Sequence, residues 1–361
     1  MKIVVAIDSF KGSLTSLEAG RAAEIGAKNA GENICVKVYP LADGGEGTCK
    51  TLTAGLGGEI KSVEVTGALG NRITAEFGEI GDLAIIEMAA AAGLNLVPEN
   101  LRNPLNTTTF GVGEMILRAA NDGCRNFIIG IGGSATNDCG LGMLTALGFE
   151  FGAGIFGRDL ANVKKISRTD KFRGLNFKIA CDVKNPLTGE NGCSAIYGPQ
   201  KGATPEIVAQ MDGWIKNFAE LAGEKKSVAG DGAAGGLGFA FRNFLGGELI
   251  PGVELILDAL KISDDLRDAD ILITGEGSID AQTLQGKAPA GVAKLAKTLN
   301  PKIKTVAIGG GVKIGGNSEI DATFSILRAP MTLREAMDKS TAAENISATV
   351  EQIIRLAGDF K

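Results

Sequence analysis

The sequence predicts an α/β protein, and three observations predict it. Apolar runs of strand length near residues 3, 127, 177, 271 and 305 each end within two residues in glycine or an acid, and strand-loop-helix units recur along the chain. Between Ile60 and Met88 the texture changes to short alternating strands in hairpin fashion, so there is either one mixed sheet or two sheets. Glycine makes up 52 of 361 residues, about twice ordinary usage, with no collagen period, which calls for many tight turns and ligand loops.

Composition narrows the function before any motif is read. A chain of 361 residues with 44% apolar and 22% charged content suits a soluble globular protein of about two domains. Net charge is −5 and no basic block occurs, which argues against nucleic acid or an anionic membrane surface as a partner. No apolar run approaches the roughly 20 residues of a membrane span, and Asp8 cuts the first apolar run too early for a signal peptide. The six cysteines lack zinc or CxxC spacing and read as reduced thiols of a cytoplasmic protein. There is no histidine. Ser-His and Cys-His nucleophilic mechanisms and His-ligated metal sites are therefore excluded, leaving carboxylates, lysines, hydroxyls and backbone dipoles. That inventory suits phosphoryl transfer.

The elements follow in order. Ile3 to Ile7 is a β-type run delivering Asp8 and Lys11 to a turn, after which the capping box Thr15/Glu18 opens a helix. Cys35 to Tyr39 repeats the unit and gives way to 40–48, where Asp43 and Glu46 read either as a helix cap or as site residues. Strands at 62–65, 72–77 and 83–86 form the hairpin-like portion, and Val112 to Ala120 is helical. Phe127-Ile128-Ile129 then runs into the glycine-rich stretch 130–142, whose Gly132 and Gly133 let the backbone approach an anion. Ser134, Thr136 and Asn137 add side-chain donors there, Asp138 adds a carboxylate, and a helix follows from Leu141. Phe177 to Cys181 delivers Asp182 and Lys184, and Pro205 to Leu221 is a helix carrying Trp214 toward the core. A second glycine-rich stretch, 230–238, precedes another helix. Ile271 to Thr274 delivers Glu276 and Asp280, with Lys287 ahead of a helix over 292–299. Thr305 to Ile308 leads into three glycines. A last amphipathic helix is expected to start from a capping box Thr341/Glu344 and to present Ile346, Val350, Ile353, Ile354 and Ala357 on one face.

Ligands of open α/β sheets sit beyond the carboxyl ends of the strands, so these loops should converge on a crevice. No loop has Walker A spacing, and Gly130-Ile131-Gly132-Gly133 is only a fragment of the dinucleotide fingerprint. Five blocks taken together are more specific: residues 8–13, 40–48, 132–138, 181–187 and 274–280. In this order and over essentially the whole chain they closely resemble the type 1 bacterial glycerate kinases. The resemblance implies ATP-dependent phosphorylation of D-glycerate on its 2-hydroxyl, with ATP and Mg²⁺ as cofactors and D-glycerate as the small-molecule partner. It also implies two α/β domains with the active site in the cleft between them. One domain is expected to be a mainly parallel Rossmann/flavodoxin-like sheet from residues 1–60 plus 270–361, and the other an inserted mixed-sheet domain over 61–269.

With this reading the residue roles are assigned as expectations. Asp182 is the first choice for base or metal carboxylate, with Lys11, Asp138 and Glu276 in the catalytic set and Asp280 joining Asp182 on the metal. Asp8, Asp43, Gly132, Gly133, Ser134, Thr136, Asn137, Lys184 and Lys287 are expected to bind ATP or glycerate. The 130–142 loop would hold either the ATP phosphates or the glycerate carboxylate. Competing readings are a kinase of another small hydroxy acid, a kinase giving 3-phosphoglycerate, and a non-catalytic ligand sensor. The sequence leaves the oligomeric state open.

Overall fold

The computed structural model describes every residue except 43, 225, 282, 284–286 and 359–361. Its strands are β1 (Lys2–Ile7), β2 (Cys35–Pro40), β3 (Glu59–Thr66), β4 (Arg72–Ile80), β5 (Leu83–Glu87), β6 (Asn126–Gly130), β7 (Asn176–Ala180), β8 (Glu248–Ile250), β9 (Ile271–Ile279), β10 (Lys304–Val312) and β11 (Ala322–Ser325). The chain divides into two compact units. Unit 1 comprises Met1–Asp43, Ala54–Leu56 and Val253–Lys361, and unit 2 comprises Gly44–Thr53 and Gly57–Gly252.

Unit 1 is built on a five-stranded sheet in the order β11-β10-β9-β1-β2, with every pair parallel. Renumbered within the unit this is the flavodoxin-like order 2-1-3-4-5, whose strand order reverses between β1 and β9. A parallel strand covered on both faces needs a continuous apolar run, which Ile3-Val4-Val5-Ala6-Ile7 supplies with every residue buried. On one face the helix Ser16–Asn29 lies against the last helix, Lys339–Ala357. The Thr15/Glu18 capping box forms as expected. The last helix starts earlier than expected: its N-cap is Asp338, which accepts from the Thr341 N–H at 3.0 Å and leaves Thr341 inside the first turn. Ile346, Val350, Ile353 and Ile354 are buried in the shared core, each burial contributing about 1.5–3 kcal/mol. The two helices approach closely because a Cβ on Gly26 would lie 2.0 Å from the Ser347 carbonyl oxygen, so only glycine fits there.

Unit 2 carries a six-stranded mixed sheet, order β3-β4-β5-β6-β7-β8. The hairpin-like portion is its antiparallel half, β3 with β4 and β4 with β5, and the β5 to β8 pairings are parallel. Its core is rich in phenylalanine, with Phe127 of β6 stacked on Phe177 of β7 at 4.8 Å between ring centroids. The helix Pro205–Leu221 has the expected bounds, and Trp214 packs half-buried against that core. All six cysteines are free thiols. Among the described residues no helix is long and apolar enough to cross a membrane.

Candidate functional site

In unit 1 the chemistry gathers where the strand order reverses. Ile7 of β1 pairs with Gly275 of β9, so the chain leaves both strands side by side: Asp8 and Ser9 follow one, and Glu276, Gly277 and Ser278 continue the other. The Asp8 N–H donates to the Gly275 carbonyl at 2.9 Å, and the Asp8 carboxylate accepts from the Ser9 N–H at 2.6 Å. Beyond these ends lies a cavity of ≈ 550 Å³, in the range of small-molecule sites. One part of its wall is polar, with Lys11, Glu276, Asp280 and Lys287 beside the glycines 277, 310 and 311. The other part is apolar, formed by Phe10, Ile326, Leu327, Leu333 and Met337.

Hydrogen bonds hold the carboxylates of this cavity in place. Thr283 donates its hydroxyl to Glu276 at 2.8 Å and accepts from the Asp280 N–H at 3.0 Å, tying the two acids to one turn. Lys287 reaches Glu276 at 3.5 Å, with the lysine side chain 40% exposed and the glutamate 12%. Lys287 is also the N-cap residue of the helix Ala288–Leu299, and its side chain makes no capping hydrogen bond there. Of the expected site residues this cavity brings together Lys11, Glu276, Asp280 and Lys287. Asp43 lies outside the described residues.

In unit 2 the glycine-rich loop after β6 is exposed at Gly132 and Gly133 and buried from Ser134 onward. Thr136, Asn137 and Asp138 are all at most 1% exposed. Asp138 is expected to be catalytic, and in the structure its carboxylate is held by donors of the protein. One oxygen accepts from the Thr109 N–H at 2.9 Å, the Thr109 hydroxyl at 2.7 Å and the Gly142 N–H at 3.2 Å. The other accepts from the Gly140 N–H at 3.1 Å. Burial pushes the Asp138 carboxyl above its ordinary range, and these four donors pull the other way. Through these four bonds Asp138 braces the loop against the start of the next helix, three donors on one oxygen and one on the other. The Asn137 side-chain amide donates to the Ser194 hydroxyl at 2.9 Å, while the Thr136 hydroxyl and the Asn137 side-chain oxygen are buried with no partner among the described residues.

The second glycine-rich stretch is the seat of the first. Ala234, Gly235 and Gly236 all adopt left-handed backbone at the start of the segment Ala233–Leu245, and the Gly235 carbonyl accepts from the Cys139 N–H at 3.0 Å. A Cβ at Gly235 would stand 2.1 Å from the Thr136 carbonyl oxygen, so the two loops touch backbone to backbone.

Asp182 and Lys184 follow β7 and are exposed. Asp182 accepts from the Gly252 N–H at 2.8 Å. Asp182 and Asp280, expected to share a metal, belong to different units. Among the described residues there is no group of three or more His, Cys, Asp or Glu side chains arranged to hold a metal ion.

Two residues of unit 2 escape sequence reasoning. Glu87, at the carboxyl end of β5, accepts from the Cys49 N–H at 2.7 Å and holds the start of the helix Thr48–Gly55. Burial raises its carboxyl above the ordinary range. Lys201 ends the short turn Pro199–Lys201, is 2% exposed, and donates to the Ser134 hydroxyl at 2.7 Å and the Thr136 carbonyl at 2.6 Å. Its setting, Gly-Pro-Gln-Lys-Gly, reads as a surface turn, and no periodicity marks the lysine as buried.

Comparison with known proteins agrees over the full length. The model of the glycerate kinase family matches residues 3–358. A glycerate kinase of Halalkalibacterium halodurans is 44% identical, the match covering 96% of this chain and 97% of that protein. A protein of Escherichia coli named glycerate 2-kinase is 42% identical over 99% of this chain and all of its own length, 100%. A crystal structure assigned as glycerate kinase 2 from Salmonella typhimurium LT2 superposes with a TM-score of 0.89 at 42% identity, covering 99% of this chain and 98% of that one.

Proposed function

The chain belongs to the glycerate kinase family, and on that premise we propose that it transfers the γ-phosphoryl group of Mg-ATP to the 2-hydroxyl of D-glycerate, giving 2-phosphoglycerate and ADP. The observation that carries this reading is the cavity at the strand-order reversal of unit 1, where two carboxylates and two lysines meet glycine backbone and an apolar wall. In such sheets nucleotides and other phosphate ligands bind at this point. Lys11 and Lys287 would neutralise phosphate charge, and the apolar wall would take the base. The choice of the 2-hydroxyl follows the name of the Escherichia coli relative.

Magnesium usually keeps several waters and is held by one or two carboxylates together with substrate phosphates, so Glu276 and Asp280 suit an ion that arrives on the nucleotide. When bound it supplies charge neutralisation on the transferring group. In the reaction the substrate's hydroxyl oxygen forms the new bond to the γ-phosphorus, the bond to the ADP oxygen breaks, and the hydroxyl proton passes to a carboxylate. Asp182, exposed at the end of β7, remains the proposed acceptor of that proton.

The test is a coupled ADP-release assay with Mg-ATP and either D-glycerate or glycerol. A site built to pair a carboxylate should reject glycerol by about 10⁴-fold in kcat/KM. Equal turnover of both would remove glycerate from the reading. Binding of ATP with no ADP formed from either would replace the kinase by a ligand sensor.

A further inference from the structure

Among the described residues Lys201 is a buried lysine of unit 2 with no direct ion pair; the carboxylate that acts on it from further off, Asp138, is engaged by four donors of its own. The Lys201 ammonium has three N–H groups, and the structure accounts for two, one to the Ser134 hydroxyl and one to the Thr136 carbonyl. Among the described residues it makes no ion pair within 4.0 Å. A buried charge without a partner is costly unless something else compensates it. The loop beside it is the one whose Gly132 and Gly133 are exposed and whose Thr136 hydroxyl, a donor, is buried with no partner among the described residues.

We propose that Lys201 is a positioning residue for an oxyanion bound by the loop 132–137, and that this oxyanion, the carboxylate of the hydroxy-acid substrate or a phosphate, is its missing counter-charge. Because Ser134 accepts from Lys201, the serine's own proton must point away from the ammonium and is left to donate to the anion. Lys201 thus orients Ser134, fixes the carbonyl of Thr136, and adds positive potential to backbone that glycine leaves accessible. The inference deepens the kinase reading by assigning an anion subsite to this loop, and it rests on that reading only for the name of the substrate.

Proton binding is coupled to this subsite. The titratable groups facing Lys201 are Cys193 of the helix Cys193–Tyr197 and Asp138 of the loop. Burial lowers the Lys201 ammonium to about 8, against the smaller opposing effects of these two groups. An anion arriving beside it favours the charged form, so binding above pH 8 takes up a proton.

The experiment uses the full chain and its Lys201→Met variant, titrated separately with D-glycerate, Mg-ATP and inorganic phosphate by calorimetry at pH 9 in two buffers of different ionisation enthalpy. The expected result is a loss of about tenfold to a hundredfold in affinity for whichever oxyanion the loop holds, with the other substrate unaffected. Proton uptake is expected in the wild type and absent in the variant. Should Lys201→Met not fold, proton uptake by the wild type together with its reduction in Ser134→Ala supports the proposal equally. Unchanged affinities and unchanged proton uptake in a folded variant would overturn the proposal, as would absence of uptake in the wild type with all three probes. If D-glycerate neither binds nor turns over while phosphate binding still depends on Lys201, the kinase reading falls and this one stands.

Discussion

Replacing Asp138 by asparagine separates a loop brace from a catalytic acid. Four donors face the carboxylate: the Thr109 N–H and hydroxyl and the Gly142 N–H on one oxygen, and the Gly140 N–H on the other. An asparagine keeps one oxygen and turns its other atom into a donor. In its better orientation the oxygen keeps the three donors and the amide group meets the Gly140 N–H head on; the reverse orientation loses three bonds. Losing one charge-assisted hydrogen bond costs about 1.5–3 kcal/mol, and an orphaned buried N–H belongs to the same range. Relief from burying a charge offsets part of this, so the net expectation is about 2 kcal/mol. For a unit of this size about 1 kcal/mol corresponds to roughly 2–4 °C, which puts the fall in Tm at about 4–8 °C. Thermal unfolding of both proteins, followed beside kcat at a temperature where both are folded, tests it. An unchanged Tm with kcat lowered by about a hundredfold or more would refute the brace and restore Asp138 to the chemistry.

Three further perturbations probe the same architecture. Gly235→Ala would force a Cβ to 2.1 Å from the Thr136 oxygen at a φ of +70°, so strain and overpacking should cost about 3 kcal/mol together; a variant with the wild-type Tm would contradict the backbone contact. Glu276→Gln should lower kcat by about a hundredfold while Tm stays within a few degrees, and full turnover in the variant would remove Glu276 from the site. The ammonium of Lys201 is held at about 8 in the folded chain against 10.5 for an ordinary lysine, so its charged form destabilises the fold below pH 8. As pH rises from about 8 to about 10.5 the unfolded chain binds more protons than the folded one, and the wild type should gain on the order of 3 kcal/mol relative to Lys201→Met. Parallel stability curves for the two proteins across that window would contradict the assigned burial.

The alternation of apolar runs and glycine-bearing turns was enough to read the fold class, because a parallel strand covered on both faces needs uninterrupted apolar sequence and the antiparallel half of a mixed sheet needs period two. Ile3 to Ile7 and the strands between residues 59 and 87 each carry one of these patterns. Polar residues at strand ends were equally legible: Lys11, Glu276, Asp280 and Lys287 line one cavity. Their mutual wiring was not, because the hydrogen bonds by which Thr283 joins Glu276 and Asp280 are specified by no local pattern. Asp138 and Lys201 illustrate a deeper limit. A carboxylate in a glycine loop reads the same whether it faces a ligand or four N–H and O–H donors, and a lysine in a Gly-Pro turn reads as exposed whether or not the fold covers it. Long-range contacts decide both cases, Thr109 with Asp138 and Ser134 with Lys201. The stretch 230–238 is similar: its glycines mark a close approach, and only the tertiary structure identifies the partner as the Thr136 backbone.

The central claim is the reaction itself, and phosphorus NMR of the product made from Mg-ATP and D-glycerate tests it most directly. The account predicts consumption of the γ-phosphate with the new phosphorus signal coupled to the single proton on C2, the pattern of 2-phosphoglycerate. A signal coupled to the two protons on C3, or ATP left intact in the presence of folded protein, would contradict it.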